Sequence, residues 1–231
     1  VVFGLVYLVL YPGLGNFQGL LGWTSHNQWE EEIQHAEEVY KPVFAKYASL
    51  PAEELLKPEN ASGLKMGQRM FANNCSVCHG SAATGAHGFP NLTDNDWLYG
   101  GDPKTIKATI TNGRVGGMPP WGSVLGEEGV RDVANYVLSL SGTASDAEAA
   151  ERGKGQFQAL CTACHGADAK GLPILGAPNL TDNTWLYGGS FENVAHTIRN
   201  GRAGVMPAHK DLLSDDKINL ITAYVYSLSN K

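Results

Sequence analysis

Cys75-Ser76-Val77-Cys78-His79-Gly80 and Cys161-Thr162-Ala163-Cys164-His165-Gly166 decide how this chain is read. Between them they hold all four cysteines of the 231 residues, so no thiol is left for a further disulfide or nucleophile. Outward from the two motifs the sequence repeats itself. Pro90-Asn91-Leu92-Thr93-Asp94-Asn95 returns as Pro178-Asn179-Leu180-Thr181-Asp182-Asn183, and Trp97-Leu98-Tyr99-Gly100-Gly101 as Trp185-Leu186-Tyr187-Gly188-Gly189. Asn112-Gly113-Arg114 recurs as Asn200-Gly201-Arg202, Met118-Pro119 as Met206-Pro207, and Tyr136-Val137-Leu138-Ser139-Leu140 as Tyr224-Val225-Tyr226-Ser227-Leu228. The offset is 86 residues at the cysteines and 88 afterwards, because the second copy carries two extra residues.

Each copy reads as helices joined by long loops, without strand alternation. Pro58 opens the first copy and an apolar helix runs into Cys75. Ser145, with Glu148 three residues later, is a capping box for the second. Asp102-Pro103 is an N-cap and first helical residue, with Gly113 as the stop; Ser190 and Gly201 bound the equivalent helix. The last helices cover about Glu127 to Leu140 and, after Ser214 as cap, about Asp215 to Leu228. Ser141-Gly142-Thr143-Ala144 is a short linker. A polypeptide of about 80 residues with such loops needs something besides side chains at its centre.

Cys-x-x-Cys-His supplies it. The two thiols add to porphyrin vinyl groups, and the histidine beside them becomes an axial ligand of the iron. A zinc site would bring two such pairs together, and these lie 86 residues apart. A thioredoxin-like pair would need strand–helix–strand patterning. The expectation is two covalently bound haem c groups, on Cys75, Cys78 and His79 and on Cys161, Cys164 and His165. A soft thioether is a fitting sixth ligand. Met118 lies 39 residues after His79 and Met206 lies 41 after His165, each before Pro in a repeated loop. Met66 and Met70 have no counterpart in the other copy and read as core filler. His87 and His209 are the substitutes for methionine but do not recur, and read as surface histidines; His26, His35 and His196 are set aside as ligands. Six-coordinate iron leaves no open position for a substrate, which points to an electron carrier with no catalytic residue.

Arg114 and Arg202 are expected to pair with haem propionates, a task suited to a guanidinium fork. Trp97, Trp185, Tyr99 and Tyr187 read as packing around the pocket. Gly67 with Phe71, and Gly153 with Phe157, share a helix face that suits packing against Tyr136 and Tyr224 of the last helices.

The pattern resembles the class I cytochrome c family over residues 59 to 231. Upstream, Tyr11-Pro12-Gly13-Leu14-Gly15-Asn16-Phe17 and Gly19-Leu20-Leu21-Gly22-Trp23-Thr24-Ser25, after an apolar helix, resemble the dihaem subunit III of cbb3-type cytochrome c oxidases. The resemblance implies an all-α chain of two tandem class I cytochrome c domains following the end of a transmembrane helix. It divides the chain into a membrane segment (1–13), a periplasmic helical linker (14–58) and haem domains at 59–143 and 144–231. It implies a membrane-anchored subunit of a bacterial inner-membrane oxidase, taking electrons from a soluble or membrane-bound cytochrome c in the periplasm.

The residues bear on this independently. Val1 to Tyr11 are apolar and uncharged, about half the roughly 20 residues needed to cross a bilayer. They read as the last turns of a transmembrane helix, in preference to a buried helix or a signal-peptide core. No Lys or Arg follows until Lys41, in keeping with the positive-inside rule. Trp29, Ile33, Ala36, Tyr40 and Val43 form a helical stripe that Pro42 should kink or end. With 17 basic against 23 acidic residues and no basic run, nucleic acid is excluded as a partner and a basic docking face is favoured. A free-standing dihaem carrier and the cytochrome subunit of a periplasmic dehydrogenase are the alternative functions.

Overall fold

Small residues placed four apart on one helix face let two helix backbones touch, and this pattern organises the fold. The computed structural model describes residues 1–13 and 17–230; Leu14, Gly15 and Asn16, within the upstream stretch quoted above and at the start of the expected linker, lie outside the described residues, as does Lys231. Two units are found, 1–47 and 48–231.

In the first unit, helix α1 (Val2–Leu10) is exposed over nearly its whole length. The chain then turns back, so that the Leu20 and Leu21 amides donate to the Val9 and Leu10 carbonyls. Tyr7 stacks on Tyr11 at 4.6 Å, and Trp23 meets Tyr11 edge-on at 6.0 Å. Helix α2 (Ser25–Ala48) continues through Pro42 rather than ending there. Among the described residues no helix is long and apolar enough to cross a membrane.

The second unit begins with the short α3 (Ala52–Leu55) and a 3-10 turn at Pro58–Asn60. It continues as α4 (Ala61–Asn74), α5 (Ser76–His79), α6 (Pro103–Asn112), β1 (Arg114–Met118), α7 (Gly122–Leu140), α8 (Ala147–Leu160), α9 (Thr162–His165), α10 (Phe191–Asn200), β2 (Arg202–Met206) and α11 (Asp215–Ser229). Caps fix the ends as the sequence indicates at Asp102, Ser190 and Ser214, whose side chains accept from the Thr105, Asn193 and Lys217 amides. Helix α8 is different. Its cap is Asp146, accepting from the Ala149 amide, and the Ser145 hydroxyl faces Asn135 instead. Carboxylate and hydroxyl compete for the same orphan amides, and here the carboxylate one residue later takes them. Helix α7 starts five residues before the expected Glu127 and is broken at Gly126, with φ +64°.

The strands are the departure from an all-helical chain. Arg-Val-Gly-Gly-Met and Arg-Ala-Gly-Val-Met are too short to show alternation, and each pairs only with the other copy. They form an antiparallel ribbon in the register Arg114↔Met206, Gly116↔Gly204, Met118↔Arg202.

Packing follows a crossed scheme. The stripe Gly63, Gly67, Phe71 of α4 lies on α11, the last helix of the other copy, which also covers α6. The equivalent stripe Ala149, Gly153, Phe157 of α8 lies on α7, which also covers α10. Phe71 meets Tyr224 at 5.3 Å between ring centroids and Phe157 meets Tyr136 at 5.1 Å, so each opening helix takes the closing tyrosine of the other copy. One apolar core gathers Phe71, Ala83, Ile106, Ile110, Leu213, Ile218, Ile221 and Val225; the other gathers Val130, Val133, Val137, Phe157, Ala169, Leu180, Val194 and Ile198. The sequence boundary at 143/144 separates the repeats, and the packing crosses it.

One ion pair locks this arrangement. The Asp132 side chain is 5% exposed and is held bidentately by Arg152 of α8, at 2.8 and 2.9 Å. The Arg152 hydrogen bonds hold the Asp132 carboxyl below the usual carboxylate range, against the opposing effect of desolvation. A depressed folded value means that the stabilisation is present above the unfolded carboxylate value, near 3.9, and is lost as pH falls through the folded one. Acid titration followed by circular dichroism should show the D132A variant less stable than the parent by about 1–3 kcal/mol at pH 7, with the difference closing at strongly acid pH.

Candidate haem sites

Cys75, Cys78 and His79 fall at i, i+3 and i+4 of one helical turn, which puts both thiols and the imidazole on one face. The turn grows out of α4: the Cys75 amide donates to the Phe71 carbonyl and the His79 amide to the Cys75 carbonyl. Cys161, Cys164 and His165 repeat this after α8. All four cysteines are unpaired. Burial pushes the Cys75 and Cys161 thiols up to about 11. That disfavours the thiolate a dithiol redox centre needs.

Both histidines are buried, with 9% and 8% of their surface exposed. His79 Nδ1 lies 3.1 Å from the Pro90 carbonyl and His165 Nδ1 3.1 Å from the Pro178 carbonyl. A carbonyl only accepts, so Nδ1 carries the proton and the Nε2 lone pair is left for a metal. Burial lowers both imidazoles below the usual histidine value, which keeps that lone pair free at neutral pH. The Pro-Asn-Leu-Thr repeat thus has a task the sequence reading left unassigned. Its proline carbonyl orients the ring, and Asn91 and Asn179 hold the turn by accepting from the Thr93 and Thr181 amides. Ala83 and Ala169, both at φ +59° and both buried, hold the loops between histidine and proline in a left-handed conformation that alanine rarely takes.

The methionines sit where the crossed packing takes them. Met206 packs on the core that holds Phe71, as Cys75 and Leu92 do; Met118 packs on the core that holds Phe157 and Leu180, as Cys161 does. The loop spacings of 39 and 41 residues suggest pairing within each copy, yet each methionine packs on the core against which the other copy's motif cysteine packs. Gly113 and Gly201, at φ +70° and +72°, end α6 and α10 directly against the Met206 and Met118 carbonyls, where no Cβ fits.

Arg114 stacks on Tyr99, 4.5 Å from the ring centroid, and donates through Nε to Thr109 Oγ1 at 2.9 Å; Arg202 does the same with Tyr187, at 4.2 Å, and Thr197, at 2.9 Å. Among the described residues neither guanidinium has a carboxylate partner. Each is the cross-strand neighbour of the methionine of its site, Arg114 opposite Met206 and Arg202 opposite Met118. The tyrosines do more than line a pocket. Tyr99 lies against Gly176 and Tyr187 against Gly88, glycines two residues before Pro178 and Pro90 in the other site's histidine loop. Trp97 and Trp185 pack on the two cores.

Among the rejected ligands, His87 is exposed and meets Tyr187 edge-on at 5.6 Å, and His196 contacts Asn200. His209 is not a surface residue of its own copy's site. It is partly buried, its amide donates to the Ile110 carbonyl, and its charge bears on His79. Among the described residues no cluster of three His, Cys, Asp or Glu that could hold a bare metal ion is formed. An oriented imidazole, paired thiols, a thioether and a guanidinium without a carboxylate partner are a donor set that fits haem c.

The chain matches the family described as cytochrome c oxidase, cbb3-type, subunit III, twice, over residues 63–137 and 148–225. It is 49% identical to the cbb3-type cytochrome c oxidase subunit CcoP of Rubrivivax gelatinosus, over 99% of this chain and 75% of the relative. It is 42% identical to the subunit FixP of Azorhizobium caulinodans and 37% to CcoP of Azospirillum brasilense, over 99% of this chain in each case and 83% and 85% of those relatives. Two cytochrome c-type domains, each of a kind that carries haem c, are therefore present, and the chain belongs to the cbb3-type cytochrome c oxidase subunit III family.

Proposed function

We propose that this chain is the dihaem electron-input subunit of a cbb3-type terminal oxidase. It takes electrons singly from a cytochrome c donor and passes them to the subunits that reduce oxygen to water. The observation that carries this reading is the matched pair of sites in one unit, each with an oriented imidazole and two thiols on one helical turn and a methionine packed on the same core. Haem c supplies a one-electron iron couple when bound. Cys75 and Cys78, and Cys161 and Cys164, hold the two groups covalently. His79 with Met206, and His165 with Met118, would hold the two irons, which would leave no place there for oxygen or another substrate. The Pro90 and Pro178 carbonyls keep the imidazoles in the ligating tautomer. Arg114 and Arg202, held flat on tyrosine rings, neutralise propionates at the methionine side.

The membrane reading is supported by the exposed apolar α1, by Tyr7, Tyr11 and Trp23 clustered at its end, and by the absence of Lys and Arg as far as Lys41. Aromatic side chains of this kind gather at the membrane–water boundary. The segment is the end of a bilayer anchor, and the haem domains stand in the periplasm of a bacterial inner membrane. Purification from membranes through a tag on this chain should yield a complex with haem b and copper that consumes oxygen when supplied with reduced cytochrome c. Isolation of the chain alone, with no oxygen uptake in the same membranes, would refute the assignment in favour of a free carrier.

A further inference from the structure

The repeated residues of the two sites match, but the ligand loops differ three residues after the methionine. Three residues after Met118 stands Trp121, whose amide donates to the Ile198 carbonyl at 2.9 Å; three residues after Met206 stands His209, whose amide donates to the Ile110 carbonyl at 3.1 Å. The backbones coincide in the repeat, and the side chains do not. His209 is further fixed by the Leu212 and Leu213 amides, which donate to its carbonyl at 3.0 and 2.8 Å. Its Nδ1 is shielded from solvent and has no hydrogen-bond partner; among the described residues only Gln156 Oε1 shares that condition. Gln156 lies in α8 against Gly129, away from both histidine loops. A shielded nitrogen without a partner costs about 1–3 kcal/mol. Such a group beside the histidine of a cofactor site is explained when the cofactor supplies the partner. The iron cannot be that partner, because His79 and Met206 occupy its axial positions in the reading above, and a porphyrin's other polar atoms at its edge are the carboxylates of its propionates.

We propose that His209 is a haem-binding residue of the first site, donating from Nδ1 to a propionate of the haem held by Cys75, Cys78 and His79. With Arg114 it forms a two-donor grip on the carboxylates, and Trp121 stands in its place at the second site. An N–H donor at a propionate offsets negative charge that otherwise favours ferric iron. His209 therefore sets the first haem at a higher potential than it would hold without that donor.

This rests on the ligand reading above, and the test separates the two. In the full chain with both haems attached, the midpoint potentials are measured by redox titration. The sites are assigned through the methionine ε-methyl NMR signals lost in M206A and in M118A. H209L is expected to lower the first midpoint and leave the second unmoved, while H209Q, which keeps an N–H donor, stays near the parent. A first midpoint unchanged in H209L, an equal fall at both sites, or glutamine no better than leucine overturns the proposal. Should leucine prevent haem attachment, H209F removes the donor while keeping a ring in its place and is expected to lower the first midpoint alone; an unmoved midpoint overturns the proposal. Methionine signals that survive M206A and M118A sink the ligand reading instead.

Discussion

Replacing Met206 by alanine will remove the sulfur ligand from the haem held by Cys75 and Cys78, and replacing Met118 will remove it from the haem held by Cys161 and Cys164. Each variant should lose one of two methionine ε-methyl resonances completely, since a ligand is present or absent. The surviving resonance identifies the pairing. In M206A it should keep dipolar contacts with Phe157 and Ile198, and in M118A with Phe71 and Ile110, because those side chains share a core with the remaining methionine. Loss of the resonance in contact with Phe157 on replacing Met206 would restore pairing within each copy. The effect is large because a vacated axial position changes the chemistry of the site. The reduced iron can then bind an external ligand such as carbon monoxide, and it loses the thioether that raises its potential.

The second large effect lies in the helix crossings. A Cβ on Gly67 would sit on the Leu220 carbonyl of α11, and one on Gly153 would sit on the Asp132 carbonyl of α7. Backbone on both sides leaves no flexible group to yield, so G67A or G153A must push two helices apart. Overpacking of this kind costs about 1–3 kcal/mol, or about 2–12 °C in Tm for a unit of this size. Thermal unfolding of the haem-loaded chain checks this, and Gly155 is the internal control. It lies in the same α8, with nothing within 4 Å of its would-be Cβ. G155A should be neutral or stabilising by about 0.5–1 kcal/mol, the helix preference of alanine over glycine. A G153A protein as stable as G155A would refute the close crossing.

The sequence disclosed what chemistry needs locally. Thiols and imidazole must lie within one helical turn, so Cys75, Cys78 and His79 were readable from spacing alone, as were the caps at Asp102, Ser190 and Ser214. What it concealed was which copy completes which site. Loop length alone favours pairing within each copy, and the crossing is decided by Gly67, Phe71 and α11 meeting across more than a hundred residues. The ribbon stayed hidden for a related reason, since five residues with two glycines have no alternation and pair only with a distant partner. The tyrosine–arginine stacks recur in the sequence at constant spacing, and that repetition was the available clue. His209 offered none, because it does not recur.

The crossed helices also govern how the protein is made. When the first copy has been synthesised, α4 and α6 lack the helix that covers them, because α11 occupies the last residues of the chain. The half-finished polypeptide is an open cup whose cysteines remain reachable by the machinery that joins porphyrin to thiol. Closure of the first cup awaits α11, whereas α7 closes the second cup as soon as α8 and α10 arrive. The second cup can therefore close before the first.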